Sequence, residues 1–300
     1  MPEPTLNYVS CPDAHGGHRM AYWQWGKPQA GHVVMCVHGL ARQGRDFDVL
    51  AQALCARGRD DVRVVCPDVV GRGRSDWLKD PMGYQLPAYA ADMLVLLQQL
   101  QPATLDWVGT SMGGLIGLGL SGQPELPLPA PIRRLVLNDV GPVVQWQALQ
   151  RIGSYLGQPV RFQSLEQAAD ALWVISSSFG PHTREQWLAL TRPMIKPATD
   201  AAGGFVLHYD PAIALPFKAL TQEAATQGEA VLWRLYDAIR ARTLLIRGAQ
   251  SDLLSTETAA AMTQRGPKAR LVEFAGVGHA PTLIAPDQVQ VVSDFLFAEA

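Results

Sequence analysis

Three hundred residues, 48% of them hydrophobic and only 17% charged, describe a chain that can bury a full core, which excludes a disordered tail protein and a disulfide-stapled miniature scaffold. With 25 basic against 27 acidic residues the formal charge is −2, so the chain lacks the cationic footprint that neutralises nucleic-acid phosphates or an anionic membrane surface. No stretch approaches the roughly 18 uninterrupted apolar residues needed to span a bilayer. The opening Met1-Pro2-Glu3-Pro4 carries no basic patch followed by an apolar run, so no signal peptide is expected. Cys11, Cys36, Cys55 and Cys66 all lie in the first quarter and read as free thiols of a reducing compartment, so the expected location is cytoplasmic.

In chain order, a short N-terminal hairpin region ends near Arg19-Met20-Ala21-Tyr22-Trp23. Apolar, β-branched runs bounded by Gly, Pro or Asp then predict strands at His32–His38, Val62–Asp68, Leu105–Gly109, Arg134–Asp139, Thr243–Arg247 and Arg270–Phe274. Between them, segments of helical period predict helices at Phe47–Arg57, Pro87–Leu100, Met112–Gly122, Thr256–Gln264 and Pro286–Phe297. This alternation is the pattern of an α/β protein, a mostly parallel sheet with helices on both faces. From Gly141 to about Arg240 the alternation stops. Helical patterns at Leu165–Ser178, Arg184–Leu190 and Gln222–Ile239 stand there with hardly any strand signal, which predicts an all-helical insertion at 141–240 in a core made of 1–140 and 241–300. Trp146, Trp173, Trp187 and Trp233 lie in that interval and supply large apolar contact area.

The segment Gly109-Thr110-Ser111-Met112-Gly113-Gly114, directly after a strand and before a helix, carries the chemistry. A G-x-S-x-G turn of this kind holds its serine in a strained strand-to-helix bend, with small residues where strand and helix approach and Oγ left exposed. A serine hydroxyl needs a base and the base needs an acid. His279, in Gly276-Val277-Gly278-His279-Ala280-Pro281, follows the last predicted strand on a glycine-rich loop and is the expected base. Asp252, in the turn after Thr243–Arg247, is the expected acid, and Asp139, at the end of the strand before the insertion, is the runner-up. The oxyanion donors are expected to be the backbone N–H groups of Met112 and of Leu40, in His38-Gly39-Leu40-Ala41-Arg42, with His38 a structural residue beneath that loop.

Other signals count for less. Gly117-Leu118-Gly119-Leu120-Ser121-Gly122 matches a dinucleotide fingerprint but lies inside a helix, and reads as a packing surface. Asp68-Val69-Val70-Gly71-Arg72-Gly73-Arg74-Ser75 lacks the ending of a phosphate loop and reads as a tight turn beside the site. The pair His15 and His18 suggests a metal only weakly, since the sequence shows no Cys or carboxylate partner for them, so neither a metal nor a cofactor is expected. Arg42 and Trp146 are the expected substrate contacts, the first for a substrate carboxylate and the second for an apolar group.

Through His38-Gly39, Asp68 to Ser75, the Ser111 turn, Asp252 and Gly278-His279, the chain resembles the α/β-hydrolase fold proteins, among them small cytoplasmic esterases and enol-lactone or carbon–carbon bond hydrolases. The resemblance implies an eight-stranded sheet with a helical cap inserted after the sixth strand. The loop His38-Gly39-Leu40-Ala41-Arg42 departs from the His-Gly-x-Gly-Pro form usual in carbon–carbon hydrolases. The expected activity is therefore a serine esterase acting on a small-molecule ester through an acyl-enzyme. Alternatives are a carbon–carbon hydrolase, lactonase or lyase with the same triad, or a ligand-binding protein on this fold.

Overall fold

The computed structural model describes residues 3–298, so Met1 and Pro2 lie outside the described residues. The chain opens with the antiparallel hairpin β1 (Thr5–Cys11) and β2 (His18–Gly26), followed by β3 (His32–Val37), α1 (Asp48–Gly58) and β4 (Val62–Pro67). Then come α2 (Leu86–Leu100), β5 (Thr104–Thr110), α3 (Met112–Ser121) and β6 (Ile132–Asn138). A long excursion follows: α4 (Trp146–Tyr155), β7 (Arg161–Phe162), α5 (Leu165–Ser176), α6 (Arg184–Thr191), β8 (Ile195–Pro197), β9 (Phe205–Leu207), α7 (Ala214–Ala219) and α8 (Gln222–Ala238). The chain then returns through β10 (Arg242–Gly248), α9 (Thr256–Gln264), β11 (Arg270–Phe274) and α10 (Pro286–Phe297).

Eight strands form one sheet in the order β1-β2-β4-β3-β5-β6-β10-β11, parallel from β4 to β11 and antiparallel at the hairpin edge. The apolar runs of the central strands follow from burial on both faces. On β3, Val33, Met35 and Val37 join one core with Leu96 and Leu97 of α2 and Ile116 and Leu118 of α3. Val34 and Cys36 face the opposite core with Leu50 and Leu54 of α1 and Val292 and Leu296 of α10. One strand thus feeds two cores at a period of two residues.

The excursion is not all-helical. It contains an antiparallel sheet, β7-β9-β8, of only two or three residues per strand. Strands so short show no alternation that a sequence window can detect. Trp187 packs edge-on against Trp173 at 5.1 Å and donates its Nε1–H to Ala169 O, giving this segment a small core of its own. It is stitched to the loop after β4 by Gly73 N–H to His208 O at 2.9 Å and Asp210 N–H to Gly71 O at 2.7 Å.

The junction of β5 and α3 leaves no room for a side chain at Gly109 or Gly113. A Cβ on Gly113 would stand 2.0 Å from Val37 O, and one on Gly109 would stand 2.3 Å from Gly113 O. Gly117 lies against the buried Trp107 indole, as expected of a packing surface, whereas a Cβ at Gly119 would meet nothing within 4 Å. Gly113→Ala is therefore expected to lower the thermal midpoint markedly or prevent folding, while Gly119→Ala gains about 0.5–1 kcal/mol of helix propensity. Thermal unfolding followed by circular dichroism checks both, and equal midpoints for the two variants would contradict this packing.

Candidate active site

Ser111, His279 and Asp139 form one hydrogen-bonded line across the C-terminal ends of the parallel strands. Ser111 occupies the turn between β5 and α3 with φ +51°, a conformation costing about 1–3 kcal/mol for a non-glycine residue. Its Oγ stands 3.0 Å from His279 Nε2. On the far side of the ring, His279 Nδ1 stands 2.7 Å from Asp139 Oδ2. A carboxylate only accepts, so Nδ1 carries the proton, and Nε2 is left with a lone pair for the serine hydroxyl.

Asp139, immediately after β6, is fully buried. Its Oδ1 accepts from Gly248 N–H at 2.8 Å, and its Oδ2 accepts from Ser251 Oγ–H at 2.6 Å. Ser251 in turn accepts from the N–H groups of Leu253 and Leu254, so the whole turn after β10 is folded around this carboxylate. Asp252, expected beside His279, is not there. It is about half exposed and makes a two-pronged ion pair with Arg151 of α4 at 2.8 and 3.0 Å. The physical reason is adjacency: β6 and β10 are paired neighbours, so both strand ends open onto the same place, and the β10 turn contributes the Ser251 hydroxyl while its aspartate faces the excursion.

The loop after β3 lies directly against Ser111, since a Cβ on Gly39 would be 3.7 Å from Ser111 Cβ. The Leu40 N–H belongs to the peptide whose oxygen is that of Gly39. That oxygen accepts from His38 Nδ1–H at 2.7 Å and from Arg42 N–H at 3.1 Å, and because the peptide is planar and trans, the Leu40 N–H is aimed the opposite way. The Met112 N–H is aimed likewise, because Ser111 O accepts from Gly114 and Leu115 of α3. Among the described residues neither amide is donated to a backbone carbonyl in a turn or loop.

The buried Arg72 contacts both of these residues. It gives Nε–H to Leu40 O at 2.8 Å, reaches Met112 Sδ at 3.7 Å and Tyr89 OH at 3.1 Å, and lies over the rings of Tyr84 and Tyr89. Nothing in the sequence marked Arg72 beyond its place between Gly71 and Gly73. Those glycines, at φ +83° and +52°, make the sharp turn that sends its side chain inward.

Residues 33–292 match the model of the alpha/beta hydrolase family. The chain belongs to that family. It is 50% identical over 293 residues to a 3-hydroxybutyrate-oligomer hydrolase of Cupriavidus necator, covering 97% of each chain. It is similar to an alpha/beta hydrolase from Novosphingobium aromaticivorans at 35% identity, with a TM-score of 0.82 and 99% of each chain covered. An esterase from Mycobacterium tuberculosis, at 20% identity, a TM-score of 0.68 and 99% and 92% coverage, shares the fold. The chain is thus an enzyme, an ester hydrolase, and no helix among its described residues is long and apolar enough to cross a membrane.

In this hydrolase the excursion roofs the site. Ser178 donates to His279 O and accepts from Gly278 N–H, and His182 Nε2 lies 2.9 Å from Thr282 Oγ1, so the excursion grips the histidine loop. Arg42, expected to be free for a substrate carboxylate, is instead held by both oxygens of Asp46 at 2.6 Å and donates to Leu190 O of α6. It clamps the excursion to the loop carrying Leu40. Trp146 opens α4 half-buried, its helix anchored by Gln145 N–H to Leu253 O.

His38 is completely buried, with Nε2 accepting from Val69 N–H at 2.9 Å, so the ring must stay neutral to keep one donor and one acceptor. Burial pushes its pKa down to about 3. An unfolded chain, with an ordinary histidine near 6.5, takes up the proton first as pH falls. His38 therefore contributes stability that is complete above about pH 6.5 and is lost, by about 1.4 kcal/mol per pH unit at most, as pH falls toward 3. Urea midpoints between pH 7 and 4.5 should fall more steeply in the native enzyme than in His38→Gln. Parallel slopes would show that His38 does not carry this dependence.

Proposed function

We propose that this hydrolase cleaves the ester bonds of short hydroxyacid oligomers through an acyl-enzyme, with Ser111 as nucleophile, His279 as general base and acid, and Asp139 as the acid that orients it. The observation that carries the reading is the continuous line from Ser111 Oγ through both ring nitrogens of His279 to a buried carboxylate. The substrate class rests on the 50% identity to a 3-hydroxybutyrate-oligomer hydrolase over almost the whole chain.

In the first half-reaction Ser111 Oγ bonds to the ester carbonyl carbon while its proton passes to His279 Nε2. Asp139 stabilises the imidazolium without taking its proton. The carbonyl oxygen becomes an oxyanion facing the Leu40 and Met112 N–H groups, donors of a kind typically worth about 2.7–4 kcal/mol of barrier each. The carbon–oxygen bond to the alcohol then breaks, and the leaving oxygen takes the proton from Nε2. In the second half a water molecule gives its proton to Nε2 and attacks the acyl carbon, and Ser111 Oγ leaves with that proton, releasing the acid.

Ser111→Ala is expected to abolish both ester turnover and labelling by a fluorophosphonate probe. Asp139→Asn, which leaves the histidine without its acceptor, should lower kcat by about 10⁴-fold. Asp252→Asn, which loses only a half-exposed ion pair, should stay within about threefold of the native rate. Rates on 3-hydroxybutyrate dimer and trimer would be compared with those on simple short-chain esters of similar size. A large loss in Asp252→Asn with little in Asp139→Asn would reverse the assignment of the acid, and no preference for the hydroxyacid oligomers would remove the substrate class.

A further inference from the structure

Outside the Ser111 site, three side chains of different chemical softness meet at the hairpin edge of the sheet, and two of them, Cys11 and His18, line a cavity there. Cys11 closes β1, His18 opens β2 and Asp92 lies on α2. One ligand atom from each lies within 4.8 Å of the other two. All three side chains are withdrawn from solvent, Cys11 at 2%, Asp92 at 4% and the His18 ring at 6% exposure.

We propose that Cys11, His18 and Asp92 form a binding site for one divalent transition-metal ion of the zinc type. The donor set is the first reason. A thiolate, an imidazole and a carboxylate together suit zinc or cobalt, whereas magnesium and calcium take oxygen ligands. Reach is the second. A tetrahedral zinc ion with bonds of about 2.0–2.3 Å holds its donors about 3.3–3.5 Å apart. His18 Nε2 and Asp92 Oδ2 already stand 2.9 Å apart, so they need to part by only a few tenths of an ångström to admit it.

The outer partner of the histidine is also in place. His18 Nδ1 stands 3.0 Å from Asp13 Oδ2, the carboxylate–histidine arrangement that orients a metal-binding ring and leaves Nε2 for the ion. Asp13 is itself fixed, its Oδ1 accepting from His15 N–H at 2.7 Å and Gly17 N–H at 2.9 Å. The turn is tight enough to bring His18 back over Cys11 because Gly17 has φ +85°, where a Cβ would stand 2.9 Å from Cys11 O. A cavity of about 480 Å³ lined by Cys11, Gly17, His18 and Arg19 provides the entry path and water for the fourth corner. The three ligands come from two strands of the edge hairpin and from α2, so a bound ion ties that edge to the body of the sheet. It takes no part in the chemistry at Ser111.

The test uses the full-length enzyme, stripped with chelator and kept reduced, titrated with Co²⁺ and then Zn²⁺. One equivalent of cobalt should give a thiolate-to-metal charge-transfer band that zinc removes, and zinc should raise the thermal midpoint. Cys11→Ala should lose the band, and Asp13→Asn, outside the ligand set, should weaken zinc binding about 10–100-fold. Absence of saturable binding at one equivalent, a band that persists in Cys11→Ala, or unaltered zinc affinity in Asp13→Asn would each overturn the site. Should Cys11→Ala fail to fold, the Asp13→Asn affinity decides alone.

Discussion

The structure around the site depends on the hydrogen bond between His279 Nδ1–H and the buried carboxylate of Asp139. A buried carboxylate is costly unless its lone pairs are occupied, and here three donors from three places in the chain fill them: His279, the Gly248 amide and the Ser251 hydroxyl. The end of β6, the turn after β10 and the loop after β11 are therefore locked to one another by a single side chain. With the ring so oriented, the only open nitrogen points at Ser111. Tautomer, ring direction and loop conformation are all consequences of satisfying one charge.

A comparable economy governs the other side of Ser111. The Leu40 and Met112 amides are aimed by what their peptide oxygens accept, so their directions are set by His38 and the first turn of α3, with the buried guanidinium of Arg72 packed against both residues. Arg72 has no carboxylate within ion-pair distance among the described residues, and its charge is met by carbonyls, a phenol and two aromatic faces. A cation satisfied by neutral groups keeps its field.

The excursion between β6 and β10 meets the site at both ends of the same line. Ser178 and His182 hold the histidine loop, and Leu190 is held by Arg42 beside the Leu40 loop. Arg42 and Asp252 were both legible as charged residues near the site, but each is neutralised by a neighbour, Asp46 and Arg151 respectively. Ion pairing of this kind is invisible to a reading that sees position along the chain but not which charges face each other.

The sequence by itself determined the alternation of strand and helix, the turn that strains Ser111, and the glycine-rich loop that carries His279. Each is written in a short window by period, by small residues at a close approach, or by a residue type with one chemistry, and the strands and helices expected from the sequence are observed within one or two residues of their bounds, whereas α4, α7 and the short strands β7 to β9 of the excursion were not foreseen. Only the tertiary structure decided which aspartate serves His279. Asp139 and Asp252 follow neighbouring strands separated by more than a hundred residues of chain, and the choice turns on which side chain points inward once those strands pair. The same holds for Cys11, His18 and Asp92: two nearby histidines say little about a metal until α2 brings a carboxylate to a strand end that already carries a thiol. Local order comes from local interactions, whereas the meeting of distant side chains belongs to the packed sheet.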